Sequence, residues 1–180
     1  LECAGIASSV LKVMTDSPYS HVGIITVENE DSETEKQVYV YECAKENHTR
    51  DTDFTKWYEG VHCFNLKDRL DTFPGSVYYF PLHTPIPKER ADQLKAWLEE
   101  QHENKTPFSV PSGLQETFNH LDIRSKYDIQ SFFSIELVVG ALKQTSVLPW
   151  NVPTDDLSVA DVVALPCFRR TPIVLKDHNL

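Results

Sequence analysis

One segment, residues 131–144 (SFFSIELVVGALKQ), constrains the fold more than any other part of the chain. If it is helical, apolar side chains cover nearly every side of its axis, and such a helix must be enclosed by other elements. The chain has 180 residues, of which 41% are hydrophobic, and this is enough for one domain with a sizeable core. We therefore predict a single domain over residues 1–180, with this helix at its centre.

Short β-branched and aromatic runs predict the strands that would cover the helix. These runs lie at 22–27, 37–43, 61–65, 76–80, 162–165 and 173–175. Pro87 opens a second helix that runs to about Glu103, and residues 104–130 are expected to be irregular with one short helix. The predicted fold class is α+β, an antiparallel sheet packed against a few helices.

The charge and the hydropathy of the chain argue against two functional classes. Lys and Arg number 17 against 27 Asp and Glu, so the net charge of −10 disfavours nucleic-acid binding. No apolar run approaches the roughly 20 residues that a membrane span requires. We expect a soluble protein, either cytoplasmic or secreted after removal of a segment before Leu1. The oligomeric state is left open.

The cysteines and histidines follow no metal-binding pattern. Cys3, Cys43, Cys63 and Cys167 are widely and irregularly spaced, without a CxxC pair. Their number permits two disulfides, but buried free thiols are equally compatible with it. The seven histidines are scattered, so we predict no metal site and regard most of them as surface or structural residues.

A predicted hairpin brings a histidine and a glutamate together. The predicted strands at 22–27 and 37–43 flank an acidic stretch, residues 28–35, which is predicted to be the exposed loop of the hairpin. Pairing Val27 with Lys36 sets His21 opposite Glu42 on one face, with Cβ atoms about 5 Å apart. The carboxylate could then hold one ring nitrogen protonated and orient the imidazole. The alternative is an ordinary cross-strand ion pair, and a one-residue slip would separate the two side chains.

Ser134 is the second polar residue of interest, because it lies near the start of the predicted central helix. With Ser131 as the N-cap, Ser134 falls near position N3. The positive end of the helix dipole and the free N–H groups there suit a nucleophile and an oxyanion. Capping or packing is the alternative role for this serine.

Four blocks of sequence carry a family resemblance. They are YSHVGI at 19–24, YECA at 41–44, YD at 127–128 and FSIELV at 133–138. In this order they resemble the YiiX-like branch of the NlpC superfamily, circularly permuted papain-like enzymes related to the lecithin retinol acyltransferase group. LSVAD at 157–161 is similar to the closing segment of that family, and residues 1–3 are similar to a remnant of its opening strand.

The resemblance implies a permuted papain-like fold and a hydrolase or acyltransferase acting on amide or ester bonds through an acyl intermediate. His21 would be the general base, Glu42 its orienting partner, and Ser134 would occupy the nucleophile position. Tyr127 and Phe133 would contribute to substrate binding or to the oxyanion site. The implied partner is a peptide-like or acyl-lipid substrate, and no cofactor or metal is implied.

The chain departs from the family pattern at two adjacent positions. Ser134 stands where the family has its nucleophilic cysteine, and Ile135 where it usually has a small polar residue. A serine hydroxyl is far less acidic than a thiol, so the preformed anion of papain-type chemistry would be lost. The predicted activity is therefore absent or strongly impaired.

Three explanations of Ser134 stay open. It could be an introduced Cys→Ser change, a natural loss of the nucleophile, or part of a working Ser–His–Glu triad. Ile135 favours natural divergence, since a designed change would alter one residue only. The alternative function is a non-catalytic module that binds a peptide or acyl chain through the aromatic residues Trp57, Tyr127, Phe132 and Phe133.

Overall fold

A computed structural model describes residues 2–3, 18–28, 36–44, 52, 58, 60–106, 126–153 and 157–177. For residues 2, 3, 44 and 126–133 it describes the backbone alone. The strands are β1 (Glu2–Cys3), β2 (Ile24–Glu28), β3 (Gln37–Ala44), β4 (Gly60–Asn65), β5 (Gly75–Tyr79) and β6 (Ile173–Lys176). The helices are α1 (Leu66–Thr72), α2 (Lys88–Glu103), α3 (Lys126–Gln144) and α4 (Val159–Val163).

The predicted α+β class is confirmed at this level, since helices pack against small antiparallel sheets. In the described part of the chain, β2, β3 and β4 form one sheet in that order, and β1, β5 and β6 form another. Helix α3 contacts β3, α2 and α4. None of the described helices has the length and apolar character needed to cross a membrane.

The central position of helix α3 is also confirmed. Val138, Val139 and Leu142 belong to an apolar cluster shared with α4. Leu137 belongs to a second cluster, formed with residues of β3, β4 and α2. Because α3 contributes to both clusters, its apolar side chains are covered on more than one side, as the all-round apolar pattern requires.

The β2–β3 hairpin has a different register from the predicted one. Val27 pairs with Val38 rather than with Lys36, so the strands are shifted by two residues. Side chains alternate along a strand with a period of two, so an even shift preserves the face on which each one lies. The predicted register was therefore wrong. The prediction that His21 and Glu42 lie on the same face is unaffected, because the shift is even.

The segment predicted as a strand at 162–165 was assigned wrongly. It overlaps helix α4, whose N-cap is Ser158. The Ser158 hydroxyl accepts from the backbone N–H of Asp161, and the Asp161 carboxylate accepts from the backbone N–H of Ser158. This reciprocal capping box fixes the start of a helix, and it outweighs the β propensity of the valines that follow.

Candidate active site

The structure brings His21 and Glu42 into contact. His21 lies just before strand β2, and Glu42 lies in β3. The His21 Nε2 and Glu42 Oε2 atoms are 3.2 Å apart, and both residues are buried. In the observed register Glu42 lies opposite residue 23, so His21 reaches it diagonally rather than from the directly opposite position.

Gly23 makes this approach sterically feasible. A Cβ atom added at Gly23 would lie 3.0 Å from the Tyr41 carbonyl oxygen and 3.3 Å from the Glu42 Cβ. The first distance is tighter than most real Cβ contacts, and the neighbour is backbone, which gives way less readily than a flexible side chain. The glycine of the S-H-V-G motif therefore allows β2 and β3 to approach closely beside the His21–Glu42 pair.

Ser134 completes a continuous chain of contacts. Its Oγ atom is 2.7 Å from His21 Nδ1, the usual length for a hydroxyl hydrogen bond. If the Ser134 hydroxyl donates to Nδ1, then Nε2 carries the ring proton and donates to Glu42. His21 therefore uses both nitrogens within the site. Chymotrypsin-type triads use the ring the other way round, with Nε2 facing the serine.

Arg69 is a fourth member of the site and was not predicted from the sequence. Its Nη2 atom is 2.6 Å from Glu42 Oε1, on a carboxylate that is fully buried. Burial by itself raises the pKa of Glu42, but the Arg69 charge and His21 outweigh it and bring that pKa down to about 2. Glu42 is therefore a stable anion, held between a guanidinium and an imidazole.

Helix α1, which was also not predicted from the sequence, positions Arg69. The Asn65 side chain accepts from the backbone N–H groups of Lys67 and Asp68, and so caps the start of the helix. The Arg69 guanidinium lies 5.4 Å from the ring centroid of Phe64 and 4.9 Å from that of Phe73. Asn65 at the end of a buried strand was the available signal for this helix.

The predicted position of Ser134 at a helix N-terminus was wrong. Helix α3 begins at Lys126, so Ser134 lies more than two turns inside it rather than at N3. Within a helix the backbone N–H bonds to the carbonyl four residues earlier, and the dipole effect is confined to the first turn. Ser134 therefore gains neither free N–H groups nor the positive end of the dipole.

Two of the predicted site residues cannot be placed by their side chains. Tyr127 and Phe133 lie in α3, but their side chains are outside the described residues. Trp57 lies outside them altogether, as does the side chain of Phe132. Their roles in binding substrate or an oxyanion stay predictions.

Other histidines with described contacts have structural partners. His62 is buried, with its Nε2 atom 3.0 Å from the Tyr58 carbonyl and its ring stacked on Tyr58 and Phe64. His102 meets the ring of Tyr41 edge-on. Among the described side chains, no group of three His, Cys, Asp or Glu is placed to hold a metal ion.

Three cysteines with described side chains, none of them in a disulfide, lie outside this contact chain. Cys43 and Cys63 are buried, and Cys167 is half-buried. Burial raises the pKa of Cys43 well above its ordinary value, and the nearby Glu42 and Glu136 raise it further. Burial also raises the pKa of Cys167. These two thiols are therefore poorly suited to act as nucleophiles.

The site thus consists of a hydroxyl, an imidazole and a carboxylate in hydrogen-bond sequence, with an arginine behind the carboxylate. Such a series of hydrogen-bonded groups can take a proton from the hydroxyl and stabilise the resulting imidazolium.

Comparisons with protein-family models, with curated proteins and with solved structures found no match for this protein.

Proposed function

We propose that the chain is a permuted papain-like scaffold for hydrolysis or acyl transfer at amide or ester bonds, with Ser134 in the nucleophile position. The observation that carries the proposal is the unbroken contact chain from Ser134 through His21 to Glu42, at 2.7 Å and 3.2 Å. A nucleophile next to a base that is itself oriented by a third group is the recurring arrangement of covalent acyl catalysis.

The reaction would proceed through an acyl-serine. Ser134 Oγ attacks the carbonyl carbon while its proton passes to His21 Nδ1, and the tetrahedral intermediate then expels the amine or alcohol, which takes that proton. Water or another acceptor attacks the ester by the reverse proton movements. Glu42 keeps its bond to Nε2 throughout and stabilises the imidazolium.

Three features make this chemistry weak in the chain as it stands. A hydroxyl gives up its proton less readily than a thiol, whose ordinary pKa is about 8.5. Helix α3 offers Ser134 no N-terminal dipole, because it starts at Lys126. Ser134 is also 0% exposed, so a carbonyl group needs the site to open before it can reach Oγ.

A non-catalytic binding module is the second candidate, and Ile135 favours it. Ile135 is buried in an apolar cluster with Val22 and Val138. The packing of Ile135 shows that this residue fits the core, and this favours a sequence that diverged naturally after the cysteine nucleophile was lost. Such a module would bind a peptide or acyl ligand without turnover, and Glu42→Gln would leave that binding unchanged.

Alkylation of Ser134→Cys by iodoacetamide tests the nucleophile assignment. We expect the introduced thiol to react faster than every native cysteine, with most of the excess lost in Ser134→Cys/His21→Ala. Peptide mapping of the adducts separates it from Cys3, Cys43, Cys63 and Cys167. A rate at position 134 no higher than at Cys167, and unchanged by His21→Ala, would refute the assignment.

A further inference from the structure

An apolar cavity of about 230 Å³ lies beside the Glu42–Arg69 pair. Its described walls come from strands β2, β3, β5 and β6, from all four helices, and from the aromatic residues Tyr19 and Phe80. Tyr19 meets the Phe80 ring edge-on, with centroids 5.4 Å apart, which gives one wall a defined shape. The space is partly open to its surroundings, and most of the surface that lines it is apolar.

The cavity is separate from the nucleophile. Neither Ser134 nor His21 is among the described residues that line it, whereas Glu42 and Arg69 are. An occupant would therefore contact the ion pair that orients His21, but it would not place a carbonyl group at Ser134 Oγ. Its binding does not depend on the proposed reaction.

The polar groups of the lining determine whether a bound molecule can carry a charge. Glu42 and Arg69 are the charged residues among the described lining, and they are paired with each other at 2.6 Å. The hydroxyl of Thr145, another lining residue, donates to the carbonyls of Ala141 and Leu142. A charged head group would have to enter an apolar space or displace one partner of the ion pair, and both are unfavourable.

From the size, lining and charge of this cavity, we propose that it binds an uncharged apolar molecule. An apolar cavity of about 150 Å³ accommodates benzene, so this one has room for roughly nine carbon atoms by proportion. This site is distinct from the reaction centre. A molecule bound in it would contact the Glu42 carboxylate, which in turn contacts His21.

Three nonyl compounds with different head groups test the proposal by calorimetry on the full chain. Nonanol is uncharged, nonanoate is anionic and nonylammonium is cationic. We expect nonanol to bind with 1:1 stoichiometry and the two ions to bind about tenfold more weakly or worse. Absence of nonanol binding, or tighter binding of either ion, would overturn the proposal.

Cavity-filling variants locate the bound molecule. Ala141→Leu fills the space from helix α3, and Val163→Phe fills it from α4 at a half-buried position that tolerates bulk more readily. Each should weaken nonanol binding at least about tenfold. Ala91→Leu in α2, outside the lining, is the matched control and should bind as the parent does. If folded Val163→Phe binds nonanol as tightly as Ala91→Leu does, the cavity is not the site.

Discussion

Removing the Arg69 guanidinium would leave the buried Glu42 carboxylate without its main cationic partner. The pKa of Glu42 is about 2 against an ordinary 4.5, which corresponds to about 3 kcal/mol of net stabilisation of the anion. Breaking a buried ion pair by removing one partner typically costs about 3–5 kcal/mol. We therefore expect Arg69→Met to lower the free energy of unfolding by about 3–5 kcal/mol at neutral pH.

The pH dependence of this loss has a definite sign. In the parent, the contribution of Glu42 is fully present above 4.5 and is lost as the pH falls towards about 2. In Arg69→Met, burial becomes dominant and raises the pKa of Glu42, so the folded variant takes up a proton at higher pH. The stability difference between parent and variant should be largest near neutral pH and should narrow under acidic conditions.

Urea unfolding followed by tryptophan fluorescence, between about pH 3 and pH 8, measures both effects. Arg90→Met is the matched control, because exposed Arg90 donates a 2.9 Å hydrogen bond to the Thr145 carbonyl, which is a neutral acceptor. It should cost about 1 kcal/mol without this pH dependence. The double variant Arg69→Met/Glu42→Gln should recover much of the lost stability. Equal losses in Arg69→Met and Arg90→Met at every pH would show that Arg69 does not stabilise a buried Glu42 anion.

Three further predictions concern the framework of the site. Gly23→Ala places a Cβ against the Tyr41 carbonyl and should lower the free energy of unfolding in urea by about 1–3 kcal/mol. In a Ser134→Cys background it should also slow alkylation at position 134. An unchanged rate would contradict the steric role of the glycine. Leu137→Ala removes a fully buried side chain and should cost about 2–5 kcal/mol by thermal unfolding, so a loss below that range would contradict tight packing there. Ser158→Ala removes a helix cap and should cost about 1 kcal/mol, whereas a neutral result would show that the capping box is dispensable.

Local pattern was sufficient to predict most strands, helix α2 and the burial of helix α3. The alternating pattern of a strand and the all-round apolar pattern of helix α3 both depend on residues close together in the sequence. Both are found in the structure. Boundaries were less accurate, because α3 starts at Lys126 rather than at Ser131. Ser131 is an acceptable cap, but no local rule excludes an additional helical turn before it.

The His21–Glu42 pairing was predicted through a register that was wrong by two residues. It was still found because an even shift preserves the face, and because a diagonal partner lies within reach of a long side chain. Arg69 was missed for a different reason. Its partner lies on another element, and a long-range ion pair has no periodicity that a single sequence displays.

The proposed role of position 134 is that of a nucleophile that His21 activates and to which an acyl group is transferred. The most direct test is the mass of Ser134→Cys after incubation with p-nitrophenyl acetate, with peptide mapping of the acetyl group. We expect one acetyl group on the introduced thiol, and far less of it in Ser134→Cys/His21→Ala. Acetylation confined to other residues, or equal acetylation at position 134 with and without His21, would show that position 134 is not a nucleophile activated by His21.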